Sequence, residues 1–257
     1  MINKGDYIES CGSHIYFELT GNPNAKPLLM LHGGLGSTRD LVTLHPYLVE
    51  DYCLISVDFR GHGKSILEGP ALSYAQYQQD VLDVLSHLGV TRYSIFGFSD
   101  GGIVGYRLAA QQTEHVVSLI TLGSQWRLET DDPSIDILSG LTAEYWNENC
   151  PEDLRTYNAS NPSPDFSRLL KAVKSVWLDT TDLGYPKNLV KQISCPTLIM
   201  RGDNDFLFSL DEAAALKASI QNVNFANIPF TSHAAHQESP QLVGTIVSEF
   251  LSQSNLE

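Results

Sequence analysis

The chain has 257 residues, 42% of them apolar, enough for one large domain, or a domain with an insertion, around a substantial core. Thirty acidic residues against 16 basic ones give a formal net charge of −14, which disfavours nucleic acid and anionic membrane surfaces because phosphate is held mostly by Lys and Arg. No apolar run is long enough to span a bilayer, the first residues carry no apolar signal core, and Cys11, Cys53, Cys150 and Cys195 are dispersed without metal-ligand spacing, so the expectation is a cytoplasmic protein with reduced, mostly buried thiols.

Residues 6–10 and 14–19 alternate between polar and apolar and predict two short antiparallel strands turning at Gly12. Residues 28–31 are continuously apolar, the mark of a buried parallel strand, and run into His32-Gly33-Gly34-Leu35-Gly36-Ser37. That loop lacks the third glycine of a dinucleotide fingerprint and the lysine of a phosphate loop. The rival reading is a turn that aims a backbone amide, from Gly34 in preference to Leu35, at a reacting carbonyl oxygen.

Residues 41–49 read as a helix and 53–57 as the next buried strand, ending in Asp58-Phe-Arg60-Gly61-His62-Gly63-Lys-Ser65. His62 sits between two glycines in a tight loop and is read as a loop-stabilising residue rather than a base. Ser73 caps a helix to about residue 88, which Gly89 closes.

Residues 92–112 organise the rest. A β-rich run (Tyr93, Ile95, Phe96) meets a helix-forming run (103–112), and only Gly97-Phe98-Ser99-Asp100-Gly101 separates them. In this Gly-x-Ser-x-Gly pattern the serine takes a strained conformation at the tip of a strand, and small residues at 97 and 101 let strand and helix approach. The helix begins at the serine, so the Asp100 amide points free and can stabilise an oxyanion. The Asp100 carboxylate has two readings. It could draw a cationic substrate group toward the acyl carbon, or point away and stabilise the helix N-terminus.

Residues 116–122 form another strand, and the regular alternation up to this point predicts a parallel sheet with helices on both faces. From residue 125 the alternation breaks, with prolines at 133, 151, 162 and 164 and all three tryptophans, Trp126, Trp146 and Trp177. Residues 124–193 are read as a helical cap over the C-terminal edge of the sheet, inserted between core segments 1–123 and 194–257. Most of its aromatics, which include Tyr145, Tyr157, Phe166 and Tyr185, are expected to be its own core, with one or two lining a pocket. Trp126, Trp146, Trp177 and Leu35 are the candidates, together with Asp100. Residues 196–200 restore the sheet and open into Arg201-Gly202-Asp203-Asn204-Asp205-Phe206. A helix over 211–218 capped by Ser209, a strand over 222–228, the segment holding Thr231-Ser232-His233 and His236, and a helix over 241–251 complete the chain.

A serine, then an Asp after a later strand, then a His after the last strand is the order of one hydrolase architecture. Through His32-Gly33-Gly34, the 58–65 loop, Gly97-Phe-Ser99-Asp-Gly101-Gly102, Gly202-Asp-Asn-Asp205 and Ser232-His233, the chain resembles the α/β-hydrolase superfamily over essentially its whole length. Ser99-Asp100-Gly101-Gly102 and the cap's length are similar to the valacyclovir hydrolase (biphenyl-hydrolase-like) and small esterase branch. The resemblance implies an α/β-hydrolase fold, a mostly parallel sheet of about eight strands flanked by helices with a helical cap. It implies Ser99 as nucleophile, His233 rather than His236 as base, Asp205 rather than Asp203 as the orienting acid, and the amides of Gly34 and Asp100 as oxyanion donors. Family members often carry glycines before that histidine, where this chain has Thr231-Ser232.

The activity implied is hydrolysis of a small carboxylic ester or related acyl substrate through an acyl-enzyme, with no metal or cofactor and a small-molecule acyl compound as partner. One alternative is C–C bond hydrolysis of a ring-fission dienoate, which the same triad performs in related proteins. The other is a non-catalytic small-ligand-binding protein of the same fold, against which the intact Ser, Asp and His speak. Relatives that open epoxides or release halide use Asp, not Ser, as nucleophile.

Overall fold

Polar–apolar alternation at the start of the chain builds a hairpin in the computed structural model, which describes residues 2–254. Strands β1 (Ile2–Ser10) and β2 (Ser13–Gly21) pair antiparallel through Cys11 and Gly12, both at positive φ (45° and 74°), the backbone that suits the twist of a two-residue hairpin. β3 (Lys26–Leu31), β4 (Tyr52–Val57), α1 (Tyr74–His87), β5 (Tyr93–Phe98), α2 (Asp100–Gln111) and β6 (Val116–Leu122) follow in alternation. Four helices then interrupt it: α3 (Ser134–Gly140), α4 (Ala143–Asn149), α5 (Pro151–Ser160) and α6 (Phe166–Trp177). β7 (Thr197–Gly202), α7 (Leu210–Ser219), β8 (Val223–Ile228), the short α8 (Ala235–Glu238) and α9 (Pro240–Ser254) close the chain.

The strand order is β1-β2-β4-β3-β5-β6-β7-β8, parallel except for the pairings of β1 with β2 and β2 with β4. The central strands are mostly apolar and almost wholly buried, because both of their faces are covered. Successive side chains point to opposite faces, so Leu29, Leu31, Ile55, Val57, Ile95, Leu119 and Ile199 join one core with Tyr77, Val81 and Val104 of α1 and α2. Leu28, Met30, Leu54, Phe96, Ile120 and Met200 join a second core with Val243 and Val247 of α9.

Residues 41–49, expected as an ordinary helix, form a 3-10 helix over Thr38–Tyr47. Pro46 lies inside it and has no N–H to continue an α-helical ladder. Ser37 and Asp40 form a reciprocal capping box at its start. Another 3-10 helix, Lys187–Gln192, sits at the end of the predicted cap segment yet packs against α2 of the core. The thiols are less uniformly buried than expected: Cys53 and Cys195 are buried, Cys150 is intermediate and Cys11 is exposed. Among the described residues no helix is long and apolar enough to cross a membrane.

The topology places the chemistry. β3 is flanked by β4 and β5, so the chain leaves it to one side and returns on the other, and at such a switch point the loops after neighbouring parallel strands open a crevice. The loop after β3 and the turn after β5 share that crevice.

Candidate active site

Ser99 joins β5 to α2 with φ 51° and ψ −118°, a left-handed conformation that costs a non-glycine residue ~1–3 kcal/mol. The surroundings hold it there. Its amide donates to Leu122 O (2.8 Å), and its carbonyl accepts from Gly102 and Ile103 (2.9 and 3.1 Å). A Cβ on Gly97 would fall 2.5 Å from the Gly101 carbonyl carbon, and one on Gly101 would fall 2.5 Å from that of Leu31. Strand and helix touch backbone to backbone, and no larger residue fits.

Ser99 Oγ lies 3.1 Å from His233 Nε2, and His233 Nδ1 lies 3.0 and 3.1 Å from the two carboxylate oxygens of Asp205. An ionised carboxylate only accepts, so the Nδ1 proton points to Asp205 and Nε2 is left free to accept from the serine hydroxyl. Burial pushes the Asp205 carboxyl up, but the hydrogen bond and charge of His233 and the amides of Leu207 and Phe208 outweigh it, and the pKa lies below the usual 3.8. Asp205 therefore stays ionised through neutral pH. A hydroxyl, an imidazole and a carboxylate in this order can pass a proton from oxygen to nitrogen while the imidazolium is stabilised.

The rival residues are placed elsewhere. The Asp203 carboxylate accepts from Asn227 Nδ2 (2.6 Å). His236 is fully buried against Phe98, ring centroids 4.4 Å apart, and neither nitrogen makes a well-formed hydrogen bond, though the ring faces the Asp40 backbone. Burial lowers its pKa from 6.5 to about 3. The unfolded chain therefore takes up this proton below about pH 6.5 and the folded chain does not, so the penalty grows as pH falls from 6.5 toward 3. His236→Leu is expected to raise the melting temperature, and by more at about pH 5 than at about pH 8; thermal unfolding at both values checks it.

The loop after β3 is fixed by His32. This residue is fully buried, Nδ1 lies 2.7 Å from Gly33 O, and Nε2 accepts from Phe59 N (3.0 Å) in the loop after β4. Burial lowers its pKa to about 3, which keeps the ring neutral as this pattern needs. Gly33 to Gly36 then form a turn, Gly36 N to Gly33 O 3.2 Å, with Leu35 at φ 60°. The turn lies over the serine, since a Cβ on Gly33 would be 3.3 Å from Ser99 Cβ. Among the described residues, no protein acceptor takes the amides of Gly34, Leu35 or Asp100.

The second loop is stabilised as expected. Arg60 forms a fully buried, bidentate pair with Asp80 (2.9 and 2.6 Å), and His62 is buried with Nδ1 3.1 Å from Arg60 O.

Ser99 and His233 line a cavity of about 460 Å³. Of the predicted lining residues, Leu35, Asp100, Trp146 and Trp177 are there and Trp126 is not. Trp126 is buried against Arg127, whose guanidinium lies 4.5 Å from its ring centroid, and its carbonyl accepts from Lys187 N (2.8 Å). More aromatics reach the cavity than expected, because Tyr145, Tyr157 and Tyr185 join the two tryptophans. Asp40, Tyr74, Phe206 and Gln237 also line it and were not singled out from sequence; only Ser37-x-x-Asp40 carried a local signal. The Asp100 carboxylate lines the cavity and stands in the first turn of α2. It is 2% exposed and is held by the Trp177 indole and the Tyr74 hydroxyl, making no bond to the helix amides. Among the described residues no group of three or more His, Cys, Asp or Glu side chains is placed to hold a metal ion.

The sequence profile of the alpha/beta hydrolase fold matches residues 26–175, more than half of the chain. The chain belongs to the alpha/beta hydrolase fold family. A serine hydrolase-like protein of Mus musculus is 34% identical over 43% of this chain and 36% of its own length. The chain spans little more than a third of the length of the first curated relatives it matches, 36% and 39%. A fluoroacetate dehalogenase of Burkholderia is 24% identical over 88% of this chain and 87% of its own. The solved meta-cleavage product hydrolase of Pseudomonas fluorescens superposes with a TM-score of 0.82 at 18% identity, over 97% of this chain and 98% of its own, a likeness of fold.

Proposed function

We propose that this alpha/beta hydrolase is a serine esterase acting on a small carboxylic ester or related acyl compound. The observation that carries the reading is the Ser99–His233–Asp205 chain of contacts at 3.1 and 3.0 Å, opening on a cavity of about 460 Å³. Ser99 attacks the carbonyl carbon, His233 takes the hydroxyl proton and returns it to the leaving group, and Asp205 orients and stabilises the imidazolium. The amides of Asp100 and Gly34 hold the oxyanion, and water then cleaves the acyl-enzyme. Residues 124–193 act as the cap, and Ile137, Leu138, Leu141 and Trp146 from it give the acyl group an apolar chamber. A serine at position 99 argues against the displacement chemistry of the dehalogenase relative.

A panel of p-nitrophenyl esters of increasing acyl length, aminoacyl esters and a ring-fission dienoate tests this. Turnover is expected on apolar acyl esters. Turnover confined to the dienoate would replace the reading by C–C hydrolysis, and preference for aminoacyl esters would make the Asp100 carboxylate a cation site. A wild-type protein that neither turns over nor reacts with a fluorophosphonate probe would return the protein to the ligand-binding alternative.

A further inference from the structure

Three stretches far apart in sequence meet at one carboxylate. Asp100 Oδ1 accepts from the hydroxyl of Tyr74 at the start of α1 (3.0 Å), and both its oxygens lie 3.0 Å from Trp177 Nε1 at the end of α6. The end of α6 is itself fixed, because the Tyr185 hydroxyl donates to Trp177 O (2.9 Å). The carboxylate–indole pair lies on the turn after β3. A Cβ at Gly34 would be 2.6 Å from Asp100 Oδ2, 2.7 Å from Trp177 Cζ2 and 3.0 Å from Trp177 Nε1. A buried carboxylate held only by neutral donors thus sits beside the turn whose amide is assigned to the oxyanion.

An anion in this place works against acyl transfer. A carboxylate is a better acceptor than a neutral carbonyl, and free backbone amides within its reach are natural partners. Swung toward the amides of Gly34 and Leu35, it would fill the position reserved for the oxyanion. The indole N–H and the phenol O–H hold it off that position, one from the inserted helices and one from the core.

We propose that Trp177, assisted by Tyr74, is a positioning residue that pins the Asp100 carboxylate against the cavity wall and so keeps the oxyanion amides open, making the docked end of α6 a requirement for turnover. The proposal rests on the serine-esterase reading above. The titratable groups around Asp100 are Tyr74 and Tyr77 of α1, Tyr185, and His233 of the loop after β8. Burial raises the Asp100 pKa to about 6 against the opposing pull of Trp177, Tyr74 and His233, so the carboxyl is charged at pH 8 and gains its proton as pH falls through about 6.

The test is the rate of Ser99 phosphonylation by a fluorophosphonate probe, with p-nitrophenyl butyrate hydrolysis beside it, in the full chain between about pH 5.5 and 8.5. Trp177→Phe keeps a ring and loses the N–H. It is expected to slow labelling at least about tenfold at pH 8, toward the ~10²-fold of a lost oxyanion donor, with kcat falling more than KM rises. Relative to wild type the deficit should shrink as pH falls through 6, and Asp100→Asn in the Trp177→Phe background should recover most of it, because a neutral amide plugs the site weakly. If Trp177→Phe does not fold, Tyr74→Phe is judged by the same criteria and expected to move the same way by less. Labelling at the wild-type rate overturns the proposal, and so does a loss that is constant with pH and not relieved by Asp100→Asn. Failure of the wild type itself to label or turn over overturns the esterase reading, and this proposal with it.

Discussion

Ser99→Ala is expected to lower ester turnover by ~10⁴- to 10⁶-fold and to leave the fold intact, because the substitution removes only the attacking oxygen. His233, Asp205 and the free amides remain, so the variant should still bind substrate and retain a small rate above water. Stability is the control. Ala keeps the Cβ at φ 51° and should melt with the wild type, whereas Ser99→Gly relieves the left-handed strain and should melt higher. Steady-state kinetics with matched melting curves measure both. A Ser99→Ala protein with more than about a tenth of wild-type turnover would remove the serine from the mechanism.

Asp205→Asn should cost almost as much, ~10⁴-fold in kcat, with little change in structure. Oδ1 of Asp205 already accepts from Leu207 N (2.9 Å) and Phe208 N (3.1 Å), so these amides would claim the single oxygen of an asparagine. Its NH₂ then stands where Oδ2 now lies, 3.1 Å from His233 Nδ1. A donor facing Nδ1 drives the ring proton to Nε2, and an imidazole protonated there cannot accept from Ser99. Asp203→Asn is the matched control, because that carboxylate holds Asn227 and does not touch His233. Its kcat should stay within about threefold of wild type, and equal losses in both variants would mean that the turn, and not the Asp205 charge, carries the effect.

Much of the fold was legible because its signals are local. The continuous apolar run at 28–31 and the largely apolar runs at 53–57 and 116–122 became buried parallel strands, and Ser73, Ser209 and Gly89 marked helix ends where the structure has them. Where the structure departs from these signals, the cause is local in one case and partly tertiary in the other. Thr38–Tyr47 winds as a 3-10 helix between its capping box and Pro46. Trp126 looked equivalent to Trp146 and Trp177, but its neighbours turn it onto Arg127 and away from the cavity. Thr231-Ser232, which depart from the usual glycines, are braced by Ile228 O and by Glu238, so the loop holds His233 without them. Phe230, at φ 65° and 93% exposed, is strained beside this loop, and nothing in the structure explains it.

The sequence by itself determined the elbow, since strand, small residues, serine and helix lie within one short stretch and their spacing states their geometry. It also determined the loops that face each other, because the order of strands and turns in an alternating chain leaves few ways to build a parallel sheet. Only the tertiary structure decided which polar atoms meet. His233 reaches Ser99 across 134 residues, and Trp177 reaches Asp100 across 77. Separations of that size are set by strand order and by where the inserted helices dock, and a few ångströms of difference there turn a hydrogen bond into a solvated side chain, which no local pattern of residues can encode.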